Sequence, residues 1–160
     1  MPKKRLSHYA RGGRAQMVDV SAKPATVRAA RAHAFVRMKR ATVRSIRALK
    51  TPKGDPLEIA RIAGIAAAKR TPELIPLCHP LSLSYVDVVA ELCQNGVRLT
   101  SSVRSTGPTG VEMEALTAVT VGALTVYDMC KALDRGIELR DIYLLEKTGG
   151  KSGAYRRRAR

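Results

Sequence analysis

Asp128 and Lys131 lie three residues apart, so on a helix they share one face. Such spacing alone is that of an ordinary intrahelical ion pair. The face is framed by Leu124, Val126, Tyr127 and Cys130, however, so partial desolvation is the competing reading. Desolvation beside other cations lowers a lysine pKa and makes it usable as an acid or a base. Glu112 and Glu114 precede the same apolar run. Glu112 follows Thr109 at capping-box spacing, which gives it a structural duty. Glu114 lies past the cap on a more apolar stretch and is the better candidate for a ligand contact. His79, between Cys78 and Pro80, and Lys53, before a capped helix, decide nothing alone. Cys78 and His79 are adjacent and lack the spacing of a metal pair. Gly150-Lys151-Ser152 resembles the end of a phosphate-binding P-loop, but Leu145 stands where the leading glycine belongs. A glycine-rich loop bearing Lys147 and Lys151 can still wrap an anion or be a simple tail.

The element that must position the acids is the run from Gly107 to Lys131. Ala115, Leu116, Ala118, Val119, Gly122, Ala123, Val126 and Met129 make it apolar nearly all round, the mark of a buried helix. The cap spacing predicts its start at Gly110 or Val111, and Arg135-Gly136 its end. Gly107 to Gly110 is also a plausible anion seat, opposed by the two carboxylates that follow. Glu114 and Asp128 are 14 residues apart, about 21 Å along a straight helix and within about 40° of one face. One copy cannot place both in a small pocket. A subunit interface holding a polyphosphorylated ligand reconciles the two.

The other elements follow from pattern. Ala and Arg richness from Thr26 to Met38 favours helix, but Ala30, Ala32, Ala34 and Val36 alternate with Arg31, His33, Phe35 and Arg37, which favours strand. Val43, Ile46 and Leu49 have helical spacing. Asp55, Pro56 and Glu58 begin a helix that runs to about Arg70, with a small-residue row of Ala60, Gly64 and Ala67/Ala68. A strand from Leu81 to Leu92, an Asn95-Gly96 hairpin signal and a strand from Val97 to Arg104 come next. A last strand covers about Leu139 to Lys147. Met17 to Ser21 reads as a short strand or an extended arm. The order β-α-β-β-α-β is the α+β, ferredoxin-like arrangement, an antiparallel sheet with two long helices on one face. Residues 1–15 read as a disordered basic arm, 16–153 as a single domain and 154–160 as a basic tail.

Composition limits the partners. Lys plus Arg is 29 against 13 acids, a net charge of +16, so an anionic partner is expected. Three cysteines, Cys78, Cys93 and Cys130, without a C-x-x-C pair suggest reduced thiols in a cytoplasm. The basic N-terminus has no apolar run behind it, so no secretory leader is expected. No stretch is apolar enough for a bilayer, because Thr117, Thr120 and Thr125 interrupt the longest one.

Five segments carry a resemblance: MVDVSAK (Met17 to Lys23), KGD (Lys53 to Asp55), ARIAGIAAAKRTPELIPLCHPL (Ala60 to Leu81), TGPTGVEMEALTAVTVGALTVYDMCKA (Thr106 to Ala132) and LLEKTGGKSG (Leu144 to Gly153). Together, over about residues 16 to 153, they resemble the cyclic pyranopterin monophosphate synthase family, the molybdenum cofactor biosynthesis protein C family. LIPLCHPL, TGVEMEALTA and YDMCKA are the specific motifs. The resemblance implies a lyase of molybdenum cofactor biosynthesis. Such an enzyme converts 3',8-cyclo-7,8-dihydroguanosine 5'-triphosphate to cyclic pyranopterin monophosphate and releases diphosphate. It implies a ferredoxin-like fold and a homo-hexamer, a trimer of dimers, with sites at dimer interfaces. On the residues themselves, no metal site, no cofactor, no membrane and no required nucleic acid are expected. By motif, Lys53 and Lys131 resemble the acid/base lysines and Asp128 the catalytic carboxylate. Leu77, Cys78, His79, Glu112, Met113 and Glu114 resemble substrate-binding positions, with Lys147 and Lys151 as available phosphate cations. Gln16 stands where many members have a basic residue or histidine, and Pro108 falls at a variable position.

The rival class is an RNA-binding module. The charge and the β-α-β-β-α-β order suit it. Val97 to Arg104 carries no aromatic for base stacking, and the chain has one Phe and no Trp, which count against it.

Overall fold

Alternation prevails over propensity at the first strand. In the computed structural model, which describes residues 8–9 and 12–158, β1 spans Thr26–Arg37. Its Ala30, Ala32, Ala34 and Val36 are buried on one face, while Arg31 and Arg37 alternate to the other. The remaining elements are α1 (Arg40–Arg47), α2 (Pro56–Lys69), α3 (Thr71–Leu74), β2 (Leu83–Cys93), β3 (Gly96–Gly107), α4 (Glu112–Cys130), β4 (Glu138–Thr148) and β5 (Tyr155–Arg156). The sheet is antiparallel with order β2-β3-β1-β4-β5. The first four strands in that order give the ferredoxin-like arrangement, and β5 extends the β4 edge. Tyr155-Arg156 lie in the segment read as a basic tail, yet they pair with Lys147 and Glu146. No described helix is long and apolar enough to cross a membrane.

The two longer helices, α2 of 14 residues and α4 of 19, pack on each other and on the sheet. Their approach is close because small residues meet. A Cβ at Gly64 would lie 2.8 Å from the Ala118 carbonyl oxygen and 3.0 Å from Val88 Cγ2. A Cβ at Gly122 would lie 3.0 Å from Leu99 Cδ2 and 3.3 Å from the Ala60 oxygen. Between helices and sheet sit Ala34, Val36, Leu99, Val103, Ala118, Val119 and Val126. Ser101 Oγ donates to the Ala115 oxygen at 2.7 Å and ties β3 to α4. The outer edge of β2 is covered in part by Arg61 of α2, whose Nε donates to the Val88 oxygen at 2.8 Å.

Several boundaries differ from the expectations, each for a physical reason. The hairpin turn is Gln94-Asn95, not Asn95-Gly96, since Gly96 already pairs with Cys93 and with Arg37. Gly96 is needed there because a Cβ would run into the Val36 carbonyl and the Phe35 ring. Leu49 falls outside α1, exposed and at φ 53. β2 starts at Leu83 rather than Leu81. Met17 to Ser21 form no strand. The arm read over residues 1–15 lies partly outside the described residues; within them, Tyr9 and Ala15 form an isolated bridge. Finally, α4 ends at Cys130, well before Arg135-Gly136. There the chain turns around Asp134, which is 3 % exposed and accepts from the Lys39 and Gly136 backbone amides at 2.9 Å. Those bonds, that from Lys39 first, hold its pKa below the ordinary carboxylate value.

Gly64→Ala is expected to destabilise the fold by about 1–3 kcal/mol through overpacking against the α4 backbone. Urea denaturation with an unchanged m-value checks this, and an unchanged midpoint would show that the helices separate freely at this crossing.

Candidate active site

The two ends of α4 carry different chemistry. At its C-terminal end, Asp128 Oδ1 is 2.7 Å from Lys131 Nζ and Asp128 Oδ2 is 2.7 Å from Lys53 Nζ. Lys53 arrives from the loop before α2, whose start is fixed by Asp55 Oδ1 accepting from the Leu57 amide at 2.9 Å. The three side chains are each about half exposed, at 48–51 %. Hydrogen bonds from Lys131 and then Lys53 bring the Asp128 pKa down to about 2. The same bond to Asp128 raises the Lys131 pKa above its ordinary value. This corrects the expectation of a lysine pKa lowered by desolvation. At half exposure the nearby carboxylate outweighs burial, so Lys131 is a charged proton donor at neutral pH.

The N-terminal end of α4 is a hollow. The expected capping box does not form: Val111 is the N-cap residue and no side chain caps the helix. Glu112 instead places Oε1 2.8 Å from Lys147 Nζ, folding back against Gly110, where a Cβ would collide with the carboxylate. Lys147 also donates to Ser152 Oγ at 3.2 Å. A cavity of about 370 Å³ is lined by Leu77, Cys78, His79, Glu112, Met113 and Glu114, with Val18 and Lys23 from the N-terminal arm. His79 Nε2 lies 2.7 Å from the Val18 oxygen and so pins that arm over the cavity. Glu114 is only 3 % exposed, and burial, followed by repulsion from Glu112, raises its pKa above 4.5. Burial and then the Glu114 carboxylate push the Cys78 thiol up as well.

A larger hollow of about 800 Å³ adjoins the first, sharing Lys23, Thr109, Gly110 and Glu112. It is lined further by Arg28, Gly149, Gly150 and Lys151. Arg28 donates to the Gly107 oxygen at 3.4 Å and the Pro108 oxygen at 3.2 Å, joining the loops before α4 and after β4. Gly149 and Gly150 have φ of 92 and 77, and a Cβ at Gly150 would occupy the place of the Arg28 guanidinium. Among the described residues, the buried Thr26 hydroxyl at this wall has no hydrogen-bond partner. The hollow thus combines the cations Lys23, Arg28 and Lys151 with room for a phosphate chain. Sequence reasoning assigned no role to Lys23 or Arg28. Lys23 stands inside MVDVSAK, whereas Arg28 has the parity of the buried Ala30, Ala32, Ala34 and Val36 at the start of an alternating strand.

The structure therefore brings Leu77, Cys78, His79, Glu112, Met113, Glu114, Lys147 and Lys151 to one end of α4. It brings Lys53, Asp128 and Lys131 to the other. Within one chain the two groups do not meet.

The pattern of the MoaC family matches residues 17–150 of this chain. The chain belongs to the MoaC family. Among its relatives, cyclic pyranopterin monophosphate synthase from Methylobacterium sp. (strain 4-46) is 58% identical over 152 residues, covering 94% of this chain and 95% of that protein. Cyclic pyranopterin monophosphate synthase 1 of Mycobacterium tuberculosis (strain ATCC 25618 / H37Rv) is 56% identical over 155 residues, covering 96% and 91%. The Deinococcus radiodurans protein of the same name is 53% identical over 150 residues, covering 94% and 89%. Both ends of α4 lie inside the region matched to the MoaC family.

Glu114 gives a pH test. A buried acid with a raised pKa subtracts stability when ionised. That cost is absent below the unfolded value near 4.5 and grows as pH rises through the folded value. Glu114→Gln is therefore expected to be more stable than the wild type at pH 8, with the gap closing toward pH 4. Urea midpoints at both pH values check it, and a gap independent of pH would show that the carboxylate is compensated when charged.

Proposed function

We propose that this member of the MoaC family is a cyclic pyranopterin monophosphate synthase whose single domain covers residues 16–153. It converts 3',8-cyclo-7,8-dihydroguanosine 5'-triphosphate to cyclic pyranopterin monophosphate and diphosphate in the cytoplasm, as a step of molybdenum cofactor biosynthesis. The observation that carries the reading is the Lys53–Asp128–Lys131 chain, closed by two contacts of 2.7 Å. In it one carboxylate holds two lysine side chains in place and raises the pKa of Lys131. Closing the cyclic phosphate joins a substrate hydroxyl oxygen to the α-phosphorus and breaks its bond to the diphosphate oxygen. Charge accumulates on that leaving oxygen, and a fixed ammonium stabilises it and can deliver a proton. Lys131, with its raised pKa, suits the donor role. Glu114 and the Leu77-Cys78-His79 segment hold the ring system, and Lys23, Arg28, Lys147 and Lys151 hold the phosphates.

The site is completed by a second copy. A two-fold axis near Val121, midway between Glu114 and Asp128, sets the Asp128 end of one chain against the Glu114 end of the other. The exposed Ile59 (45%), Ile62 (55%) and Leu124 (56%) on α2 and α4 support burial of this helix face between copies. Three such dimers make the hexamer.

Lys131→Ala is expected to lower turnover of the cyclised triphosphate by about 10²-fold or more, with circular dichroism unchanged because the side chain is half exposed. Release of diphosphate at the wild-type rate would remove Lys131 from the chemistry. A mixing experiment tests the shared site. Glu114→Gln and Lys131→Ala, each impaired alone, are co-expressed, so that mixed dimers carry one intact and one doubly altered site. Activity should return to about a quarter of wild type for random pairing. No recovery would place both residues in a site built by one chain.

A further inference from the structure

The sheet face turned away from α2 and α4 carries a second built cavity. Ala32, Ala34 and Val36 of β1 point to the helices, so His33 and Phe35 point the other way, as does Arg98 of β3. Beside them, β4 is irregular. Its register with β1 shifts between His33 and Phe35, and Asp141 takes φ 54, a backbone region that a non-glycine residue rarely occupies. This irregularity aims the Asp141 carbonyl at His33 Nδ1, 2.9 Å away, so Nδ1 carries a proton and donates. Tyr143, the register partner of His33, stacks on it with centroids 4.8 Å apart and planes 14° apart. The Arg157 guanidinium lies over the Tyr143 ring at 4.1 Å. Its position is fixed by the backbone, since the Arg157 amide donates to the Leu145 oxygen at 2.8 Å. The result is an ordered column of imidazole, phenol and guanidinium in the wall of a cavity of about 700 Å³.

The remaining walls are cationic and apolar. Arg98 and Arg158 line the cavity with Phe35 and Leu145, and Asp141 is its one acid. Arg98 makes only a loose, half-exposed pair with Glu91 at 3.7 Å, and among the described residues Arg157 and Arg158 make no ion pair with an acid of the cavity. Planar guanidinium groups bind phosphate in a bidentate way and stack on bases with their faces. An acidic peptide would use the charges and leave the stacked column without a purpose.

We propose that this far-face cavity is a second ligand site, separate from the one along α4, and that it takes a nucleoside phosphate. The base extends the His33–Tyr143–Arg157 column, and the phosphates lie between Arg98 and Arg158. Free nucleotide and single-stranded nucleic acid share this chemistry.

Wild-type full-length protein is irradiated with a photoreactive azido-GTP, and the labelled peptides are mapped by mass spectrometry. Label on the peptides around Tyr143 and Arg157 is expected; label confined to residues 77–81 and 107–114 overturns the proposal. Equilibrium dialysis with GTP should show a binding class that the paired changes Arg98→Ala and Arg157→Ala weaken by ~10-fold or more, with turnover unchanged. Unaltered GTP binding in that variant overturns it. So does displacement of GTP by inorganic triphosphate or polyglutamate at equal concentration, because either would mark a patch selective for charge alone. A short single-stranded RNA separates the sources. Binding tighter than GTP and lost in the variant assigns a strand, whereas weaker binding assigns the free nucleotide, and both support the site.

Discussion

The crossing of α2 over α4 sets the geometry of everything else. Gly64 meets the Ala118 backbone and Gly122 meets that of Ala60. The two contacts run in opposite directions along the two helices, so the pair is antiparallel, and the register is fixed by where side chains are missing. Following that register toward the start of α2 brings the Lys53 loop beside Asp128, as the contact of 2.7 Å records. Following it the other way carries α2 into α3, where Thr71 Oγ1 donates to the Ala68 oxygen at 3.0 Å and stops the helix. The chain then delivers Leu77, Cys78 and His79 to the cavity beside Glu114. One close helix contact thus positions both halves of the candidate site.

The same helix holds two carboxylates in opposite electrostatic states. Asp128 is exposed and clamped by two ammonium groups, so its charge is fixed down to about pH 2. Glu114 is buried, with Glu112 as a like-charged neighbour, so its charge is resisted. Lys147 engages Glu112 rather than Glu114, which leaves Glu114 without a cationic partner among the described residues. The Glu112–Lys147 contact offsets part of the negative charge at the rim of the larger hollow, while Glu114 stays buried beside it.

What was legible in the sequence were the periodicities and the small-residue row. The alternation in Thr26–Arg37 outweighed a composition that favours helix, because burial on one face of a strand repays period two directly. The Ala60-Gly64 row announced a close helix contact, and the α4 length announced that its ends could not share one pocket. What was not legible depended on partners distant in the chain. The capping box at Thr109 failed because Lys147, 35 residues beyond Glu112, competes for its carboxylate. Lys131 could not be placed as a charged donor until Lys53 and Asp128 were seen in one chain. Arg28, in phase with the buried alanines of β1, has no partner that the sequence names until the fold brings Gly149 and Gly150 over it.

The far face follows a different logic from the core. A strand in register has no reason to put a non-glycine residue at φ 54, and β4 does so at Asp141 while losing ladder pairing with β1. A regular β4 would keep the ladder and lose the carbonyl that holds His33. The irregular one keeps imidazole, phenol and guanidinium in a single column, with Arg157 held by a strand-like bond beyond β5. Backbone strain persists only where its surroundings maintain it. Here those surroundings are the stack itself and the imidazole N–H, all of them on the side of the sheet that the α4 chemistry does not use.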